Sequence, residues 1–423
     1  MADKNTLAVV LAGGKGSRLY PLTKTRAKPA VSFGGVYRVA DFVLSNLYNS
    51  GIRKIYFATQ FEPRSLHRHM KYGWYPKFGV GTNEYLMVLP TRETTSGGWA
   101  QGTAESVIHN IDYLKDDNSN LINVFGADHV YLMDVSQMND FHTKKNADLT
   151  ISAIPVKREV AAKNFGVIEV DNTGQIKGFE EKPENPKPMP GNKDYCLVSM
   201  GNYTFNKEEL LKVLSKDMEK EFSPDIEVIR GNPEHFSKHD FGFDIIPAFL
   251  REEKKVFAYN FMDNSIPGAK ENERGYWKDI GTIEQFYEAN MEVRSSKPPI
   301  NLSNSEWEVF TYLSSPRVVK FEGKGYALES IVANGCVIID SNVEKSVLSY
   351  NITVNPNAKI QDSILLGNNE IGKNAMIKGA IIEKGIIIPD KETVGVDKEK
   401  DEKRGFYEYS KKIPIVPKGF QFR

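Results

Sequence analysis

Three glycines and five basic side chains crowd the stretch LAGGKGSRLYPLTKTRAKPA, residues 11 to 30, just after a short apolar run. Gly13, Gly14 and Gly16 lack a Cβ, so the backbone there can approach phosphate oxygens and present N–H groups to them. Lys15, Arg18, Arg26 and Lys28 add positive charge. The spacing matches neither common phosphate-binding pattern: there is no G-x-x-x-x-G-K-[ST], and Leu19 stands where a G-x-G-x-x-G fingerprint needs its third glycine. A tight turn with solvated lysines is the plain alternative. Two fixed cations after a glycine loop, in RLYPLT and then RAKPA, favour binding of a triphosphate or pyrophosphate instead.

The elements that must present this loop are legible as alternating runs. LAVVLA (7–12), KIYFAT (54–59), LINVFGA (121–127) and LTISAIPV (149–156) are apolar without strict alternation, which predicts buried strands. RVADFVLSNLYNSG and GTAESVIHNIDYLKDD carry apolar residues at three- and four-residue intervals, which predicts helices. An α/β parallel sheet follows. Ligands of such sheets bind beyond the carboxyl ends of the strands, which draws attention to Gln60 and Asp128, each just after a strand. FGVIEVDNTGQIKGFEEKP predicts a hairpin turning at Asn172 to Gly174.

The chain has 423 residues, enough for two or three domains. Lys+Arg and Asp+Glu are both 55, and no block of one sign forms a nucleic-acid arm or a polybasic membrane segment. Any polyanion bound is expected to be small. Cys196 and Cys336 offer neither a disulfide framework nor metal-ligand spacing, which fits a reducing cytoplasm. No run approaches the ~18 apolar residues of a membrane span, and the N-terminal run is too short for a signal peptide. A soluble, cytoplasmic protein is expected.

SSKPPINLSNSEW, after the helical pattern IEQFYEANMEVRSS, marks a boundary. The expected division is a catalytic domain over 1–296, a linker over 297–325 and a second domain with a C-terminal tail over 326–423. In the latter, aliphatic residues recur every six positions: Ile331, Val337 and Val343; Val354 and Ile360; Leu365, Ile371 and Ile377; Ile381 and Ile387. Such a hexapeptide repeat predicts a parallel β-helix with one inward side chain per flat face. DKEKDEKR (397–404) is expected to be a solvated surface run.

LAGGKGSRLYPLT with RAKPA resembles the opening motif of the sugar-nucleotide pyrophosphorylases. SNLYNSGI, GWAQGTAES, GADHVY, FEEKP, SMGNYTF, HDFGFDIIP and YWKDIGT then follow in the order seen in the glucose-1-phosphate adenylyltransferase (ADP-glucose pyrophosphorylase) family. The resemblance implies a Rossmann-like (GT-A-like) nucleotidyltransferase domain and a C-terminal left-handed parallel β-helix, and the joining of ATP to glucose 1-phosphate with release of pyrophosphate. It also implies Mg²⁺, held by Asp128 and Asp279, whose hard oxygens suit that ion.

By the same resemblance, Arg18 and Lys28 hold the triphosphate and, with Asp128, form the catalytic group, while Gly13, Gly14 and Gly16 bring backbone donors alongside. Lys182 contacts the sugar phosphate and Glu181 the sugar hydroxyls, with Gly166, Ser199 and Gly201 lining that pocket. Gln60, Trp99, Gly102 and Thr103 fall to the nucleotide, Gly102 by letting a purine approach its backbone. His129 is expected to be a neighbour of the site and not a base, and His67 and His69 a solvated helix face.

Two positions depart from the family pattern. Ala100 stands where relatives carry an aromatic residue, and Thr25 where a lysine serves sugar-phosphate activators. Neither touches a proposed metal or phosphate ligand. An allosteric metabolite effector and a homotetramer, or a hetero-oligomer with a related subunit, are implied without the effector's identity. The alternatives are a pyrophosphorylase for another nucleotide or sugar, a non-catalytic regulatory subunit, and a β-helix acyltransferase.

Overall fold

A computed structural model describes residues 3–13, 16–59, 64–79, 83–89, 102–313 and 317–422. Asp3–Ala12 is an interior strand of a nine-stranded sheet in which seven strands run in the order Ile176–Glu181, Gly166–Val170, Tyr195–Asn206, Leu121–Gly126, Asp3–Ala12, Ile52–Thr59, Tyr85–Leu89, and the other two, Leu149–Lys157 and Val256–Asn260, branch from Tyr195–Asn206. Side chains alternate along the central strand. Ala8, Val10 and Ala12 enter one apolar layer with Phe57, Phe125 and Leu44, while Leu7 and Val9 enter the other with Val124, Leu114 and Leu214. Both faces are therefore covered, which is why the strand reads as continuously apolar.

The sheet is mixed, not parallel as the sequence predicts. Its four strands from Leu121–Gly126 to Tyr85–Leu89 are parallel, but Tyr195–Asn206 runs antiparallel to Leu121–Gly126. Leu149–Lys157 pairs with Tyr195–Asn206 in antiparallel fashion and with Val256–Asn260 in parallel. An apolar run reports burial on both faces and carries no information about a neighbour's direction. The expected hairpin is present, with Ile176–Glu181 antiparallel to Gly166–Val170. The helix expected over GTAESVIHNIDYLKDD is broken into Glu105–Ile108 and Ile111–Asp116. At the break the Asn110 amide donates back to the Ser106 carbonyl at 2.9 Å, a side-chain bond that competes with helix continuation.

The C-terminal region is a left-handed β-helix of three parallel five-stranded sheets. Its inward stacks are Ile338, Val354, Ile371 and Ile388 on one face and Val343, Ile360, Ile377 and Val394 on the next. The expected six-residue phase is off by one in places: Ile338, Ile382 and Ile388 point inward, not Val337, Ile381 and Ile387, and Ile387 is 64% exposed. The third face explains part of this. It carries adjacent aliphatic pairs, Val347-Leu348, Ile364-Leu365, Ile381-Ile382 and Ile415-Val416. The second of each pair fills the coil interior. The first packs outward with Leu19, Leu22, Phe33, Ile283 and Phe286 of the N-terminal region, so one strand serves two cores.

Two further expectations change. Lys398–Lys403 forms a helix, and its Asp401 is fully buried and accepts from the Gly395 N–H, so the charged run is not wholly solvated. His67 is exposed, but His69 is buried with Nε2 2.5 Å from Asp41 Oδ1. Among the described residues no helix is long and apolar enough to cross a membrane.

Candidate active site

The sheet register lines up the sequence-derived candidates along one edge. Glu181 pairs with Gly166, Val167 pairs with Val198, and Asn202 pairs with Phe125, which brings Gly166 beside Ser199 and Gly201 beside Gly126. Asp128 follows two residues on, and Leu11, shortly before Gly13, is the register partner of Gly126. Trp277–Asp279 pairs antiparallel with His129–Tyr131, placing Asp279 opposite His129. Residues far apart in the chain thus meet at the carboxyl end of the central strands.

The centre of the site is one ammonium between two carboxylates. Lys28 opens the short helix Lys28–Ala30, and its Nζ donates to Asp279 Oδ1 at 2.8 Å and to Asp128 Oδ2 at 3.1 Å. Burial alone would lower the Lys28 pKa, but Asp128 and Asp279 outweigh it and raise it, so the amine stays protonated. Burial pushes the Asp128 carboxyl up, yet the His129 ring and Lys28 outweigh that too and hold it below the ordinary carboxylate range. Arg18 borders the same centre. Its Nη2 and both Asp279 carboxylate oxygens lie within 3.2 Å of the point where a Cβ on Gly281 would stand. Gly16, at φ 57°, turns the chain just before Arg18, with its carbonyl accepting from Thr23 Oγ1 at 2.9 Å.

Asp128, His129 and Asp279 each offer a donor atom within 4.8 Å of the others. Two carboxylates that already converge on one cation suit a hard divalent ion, so the donor set fits such a metal. His129 is fixed from behind: its ring stacks on Trp277 at 4.8 Å, and Nδ1 lies 3.1 Å from Asp128 Oδ1. Trp277 also packs on Phe165 at 5.2 Å, and the Phe165 carbonyl accepts the Lys182 N–H.

Through that chain of contacts the Lys28 centre adjoins a second polar group. Lys182 Nζ lies 3.1 Å from Glu181 Oε1, with the lysine side chain half exposed and the glutamate mostly covered. Burial, aided by the nearby Asp240 charge, raises the Glu181 pKa against the pull of Lys182. Lys182 sits at φ 50°, a left-handed backbone uncommon for a residue with a Cβ. The hydroxyl of Ser199 accepts from the Gly201 N–H at 3.2 Å. A Cβ on Gly166 would stand 2.4 Å from the Phe179 ring and 2.7 Å from Glu181 Oε2, so the missing side chain makes room for both.

Gly102 has a different role from the one expected. The space where its Cβ would stand holds the His239 carbonyl, 2.0 Å away, so its missing side chain admits the 238–239 segment of this chain and not an open approach for a base. Thr103 Oγ1 donates to Asp240 Oδ2 at 2.9 Å. Gly14, Gln60 and Trp99 lie outside the described residues. Trp277, His239 and Asp240 carry no role in the sequence pattern. The signal was available, since all three lie inside the motifs YWKDIGT and HDFGFDIIP, but their partners lie elsewhere in the chain.

Comparison with known proteins adds to this geometry. The Nucleotidyl transferase family profile matches residues 7–296, and the profile for the GlmU-like C-terminal hexapeptide matches residues 317–416. A glucose-1-phosphate adenylyltransferase from Geobacter metallireducens is 42% identical over 417 residues, covering 97% of each chain. Proteins of the same name from Trichlorobacter lovleyi and from an Anaeromyxobacter species are each 40% identical over 98% of this chain, covering 97% and 98% of their own lengths.

Proposed function

The chain belongs to the glucose-1-phosphate adenylyltransferase family of nucleotidyl transferases, and on that footing we infer that it transfers the adenylyl group of ATP to glucose 1-phosphate. An oxygen of the sugar phosphate attacks the α-phosphorus in line. The new bond is sugar-phosphate oxygen to α-phosphorus, the bond from α-phosphorus to the bridging oxygen breaks, and pyrophosphate leaves with the electron pair. The products are ADP-glucose and pyrophosphate. The attacking oxygen is already anionic, so the step requires no general base. Positioning and neutralisation of negative charge supply the catalysis.

The observation that carries this account is the Lys28 ammonium held between Asp128 and Asp279, with Arg18 alongside. We assign Arg18 and Lys28 to the triphosphate, where their fixed charge favours the leaving pyrophosphate, with backbone donors from Gly13, Gly14 and Gly16. Asp128 and Asp279 would hold Mg²⁺. When bound, that ion neutralises charge on phosphate oxygens. Lys182 binds the phosphate of glucose 1-phosphate, and Glu181 accepts from the sugar hydroxyls in a pocket bounded by Gly166, Ser199 and Gly201. Gln60, Trp99, Gly102 and Thr103 form the nucleotide side, Gly102 and Thr103 through their hold on residues 239 and 240. A metabolite effector and assembly into a tetramer complete the proposal.

The test is pyrophosphate release by the purified chain with Mg²⁺, glucose 1-phosphate and each nucleoside triphosphate in turn. ATP should be the preferred donor. A preference for UTP, dTTP or GTP would replace this substrate assignment, and no release with any of them would leave a regulatory subunit.

A further inference from the structure

Residues 238–242 touch both the 102–105 turn and Glu181. On the nucleotide side, the N–H groups of Ala104 and Glu105 donate to the His239 carbonyl at 2.9 and 3.1 Å. Gly102 presses on that same carbonyl, and Thr103 Oγ1 both donates to Asp240 and accepts the Phe241 N–H at 3.1 Å. On the sugar side Gly242 lies against Glu181, whose Oε2 would be 2.5 Å from a Cβ at that position. The segment has no slack between the two: Asp240 Oδ1 accepts from the Gly242 and Phe243 N–H groups at 2.9 and 3.2 Å, and Asp244 Oδ2 from the Asp240 N–H at 2.9 Å.

His239 is what holds the segment in place. Its φ of 53° is left-handed, a conformation that a residue with a Cβ keeps only when its surroundings fix it. Three anchors do so. The carbonyl is bound as above, the N–H donates to Ser237 Oγ at 2.9 Å, and the ring Nδ1 lies 2.8 Å from Asp217 Oδ2 in a buried pair. Asp217 is buried on the helix Lys207–Met218, so the anchor point is the scaffold and not a substrate.

We propose that His239 is a positioning residue that couples the 102–105 turn to Glu181, so that nucleotide and sugar phosphate each raise the affinity for the other. The inference rests on the assignment of these two groups to the two substrates given above. Coupling through one shared segment is reciprocal: the factor by which nucleotide tightens sugar-phosphate binding must equal the factor in the other direction. Loss of the His239 ring frees the left-handed backbone to relax, which moves the carbonyl and breaks the link.

The experiment is isothermal titration calorimetry on the full chain with Mg²⁺, using glucose 1-phosphate and α,β-methylene-ATP, whose α–β bridge does not cleave. Each ligand is titrated alone and with the other saturating. The wild type should show at least about a fivefold gain in both directions. His239→Ala should bring that ratio below about twofold, whereas His239→Asn, which tolerates the left-handed region and places an N–H toward Asp217, should restore it. A purely structural role would lower the melting temperature, or weaken both ligands, with the ratio intact. A wild-type ratio of one, or a folded His239→Ala with the wild-type ratio, overturns the proposal. If His239→Ala does not fold, Thr103→Val carries the test, because it removes the hydroxyl bonded to Asp240 and Phe241; an unchanged ratio there overturns the proposal equally. A wild-type chain that makes ADP-glucose but fails these tests loses only the coupling, whereas one that releases no pyrophosphate with any nucleotide loses the assignment of function as well.

Discussion

Lys28 Nζ stands 2.8 Å from Asp279 Oδ1, and with its second bond to Asp128 it ties the N-terminal loop to the ends of two separate strands. Lys28→Met removes the ammonium that bridges the two carboxylates and leaves Arg18 as the remaining cation beside Asp279. Loss of one preorganised charge at the reacting phosphates is expected to lower kcat by about 10²–10³-fold. In the variant a divalent ion should take over the uncompensated charge, so added MgCl₂ should raise its melting temperature more than that of the wild type. Steady-state pyrophosphate release and paired thermal melts measure both effects.

Lys182→Ala separates the two substrates. Removing a charged hydrogen bond of about 1.5–3 kcal/mol should raise KM for glucose 1-phosphate by about 10–150-fold. KM for ATP should move less than about twofold, since Lys182 is partnered with Glu181 and not with the Lys28 centre. Initial rates with each substrate varied in turn check this, and an unchanged KM for glucose 1-phosphate contradicts the assignment.

Arg26, two residues before Lys28, forms a buried ion pair with Glu383 of the β-helix at 2.9 Å, the side chains being 9% and 1% exposed. Removal of one partner strands the other charge, so Glu383→Ala should cost about 3–5 kcal/mol. The double variant Arg26→Met, Glu383→Leu should be markedly less damaged than Glu383→Ala alone. Urea unfolding monitored by fluorescence gives the comparison.

His142 predicts a pH dependence of stability. Burial beneath the sheet depresses its pKa to about 4, partly opposed by Asp148, and Nδ1 lies 2.9 Å from Thr150 Oγ1. Between about pH 4 and 6.5 the unfolded chain binds this proton and the folded chain does not, so stability is lost as pH falls through that window. From pH 7.5 to 5 the loss from this group should be about 2 kcal/mol. His142→Asn should lose correspondingly less over the same range in urea titrations.

What the sequence discloses follows the physics of each element. Strands buried on both faces announce themselves by continuous apolar runs, so Leu7–Ala12 and Leu121–Gly126 were legible, but Tyr195–Asn206 was not, because Ser199, Gly201 and Asn202 interrupt its apolar run, and it is this strand, antiparallel to Leu121–Gly126 and Leu149–Lys157, that makes the sheet mixed. The hexapeptide period identified the β-helix. It misplaced Ile381 because the docked face needs an aliphatic residue outward as well as inward, and a period of six records only one; Ile387 lies on another face, where Ile388 fills the interior and Ile387 meets solvent. At the site, Lys28, Asp128 and Asp279 were identified by resemblance and are brought together by register. The roles of Gly102 and His239 depend on contacts between segments more than a hundred residues apart, which spacing along the chain does not encode.

The central claim is direct transfer to the sugar phosphate by charge neutralisation, with Lys28 serving as a protonated clamp and not as a nucleophile that takes up the adenylyl group. The stereochemical course at the α-phosphorus tests it most directly, using ATP bearing sulfur at a single α-configuration and reading the configuration of the thio-ADP-glucose by ³¹P NMR. One in-line displacement predicts inversion. Retention would require two displacements through an adenylylated side chain, and would contradict the account.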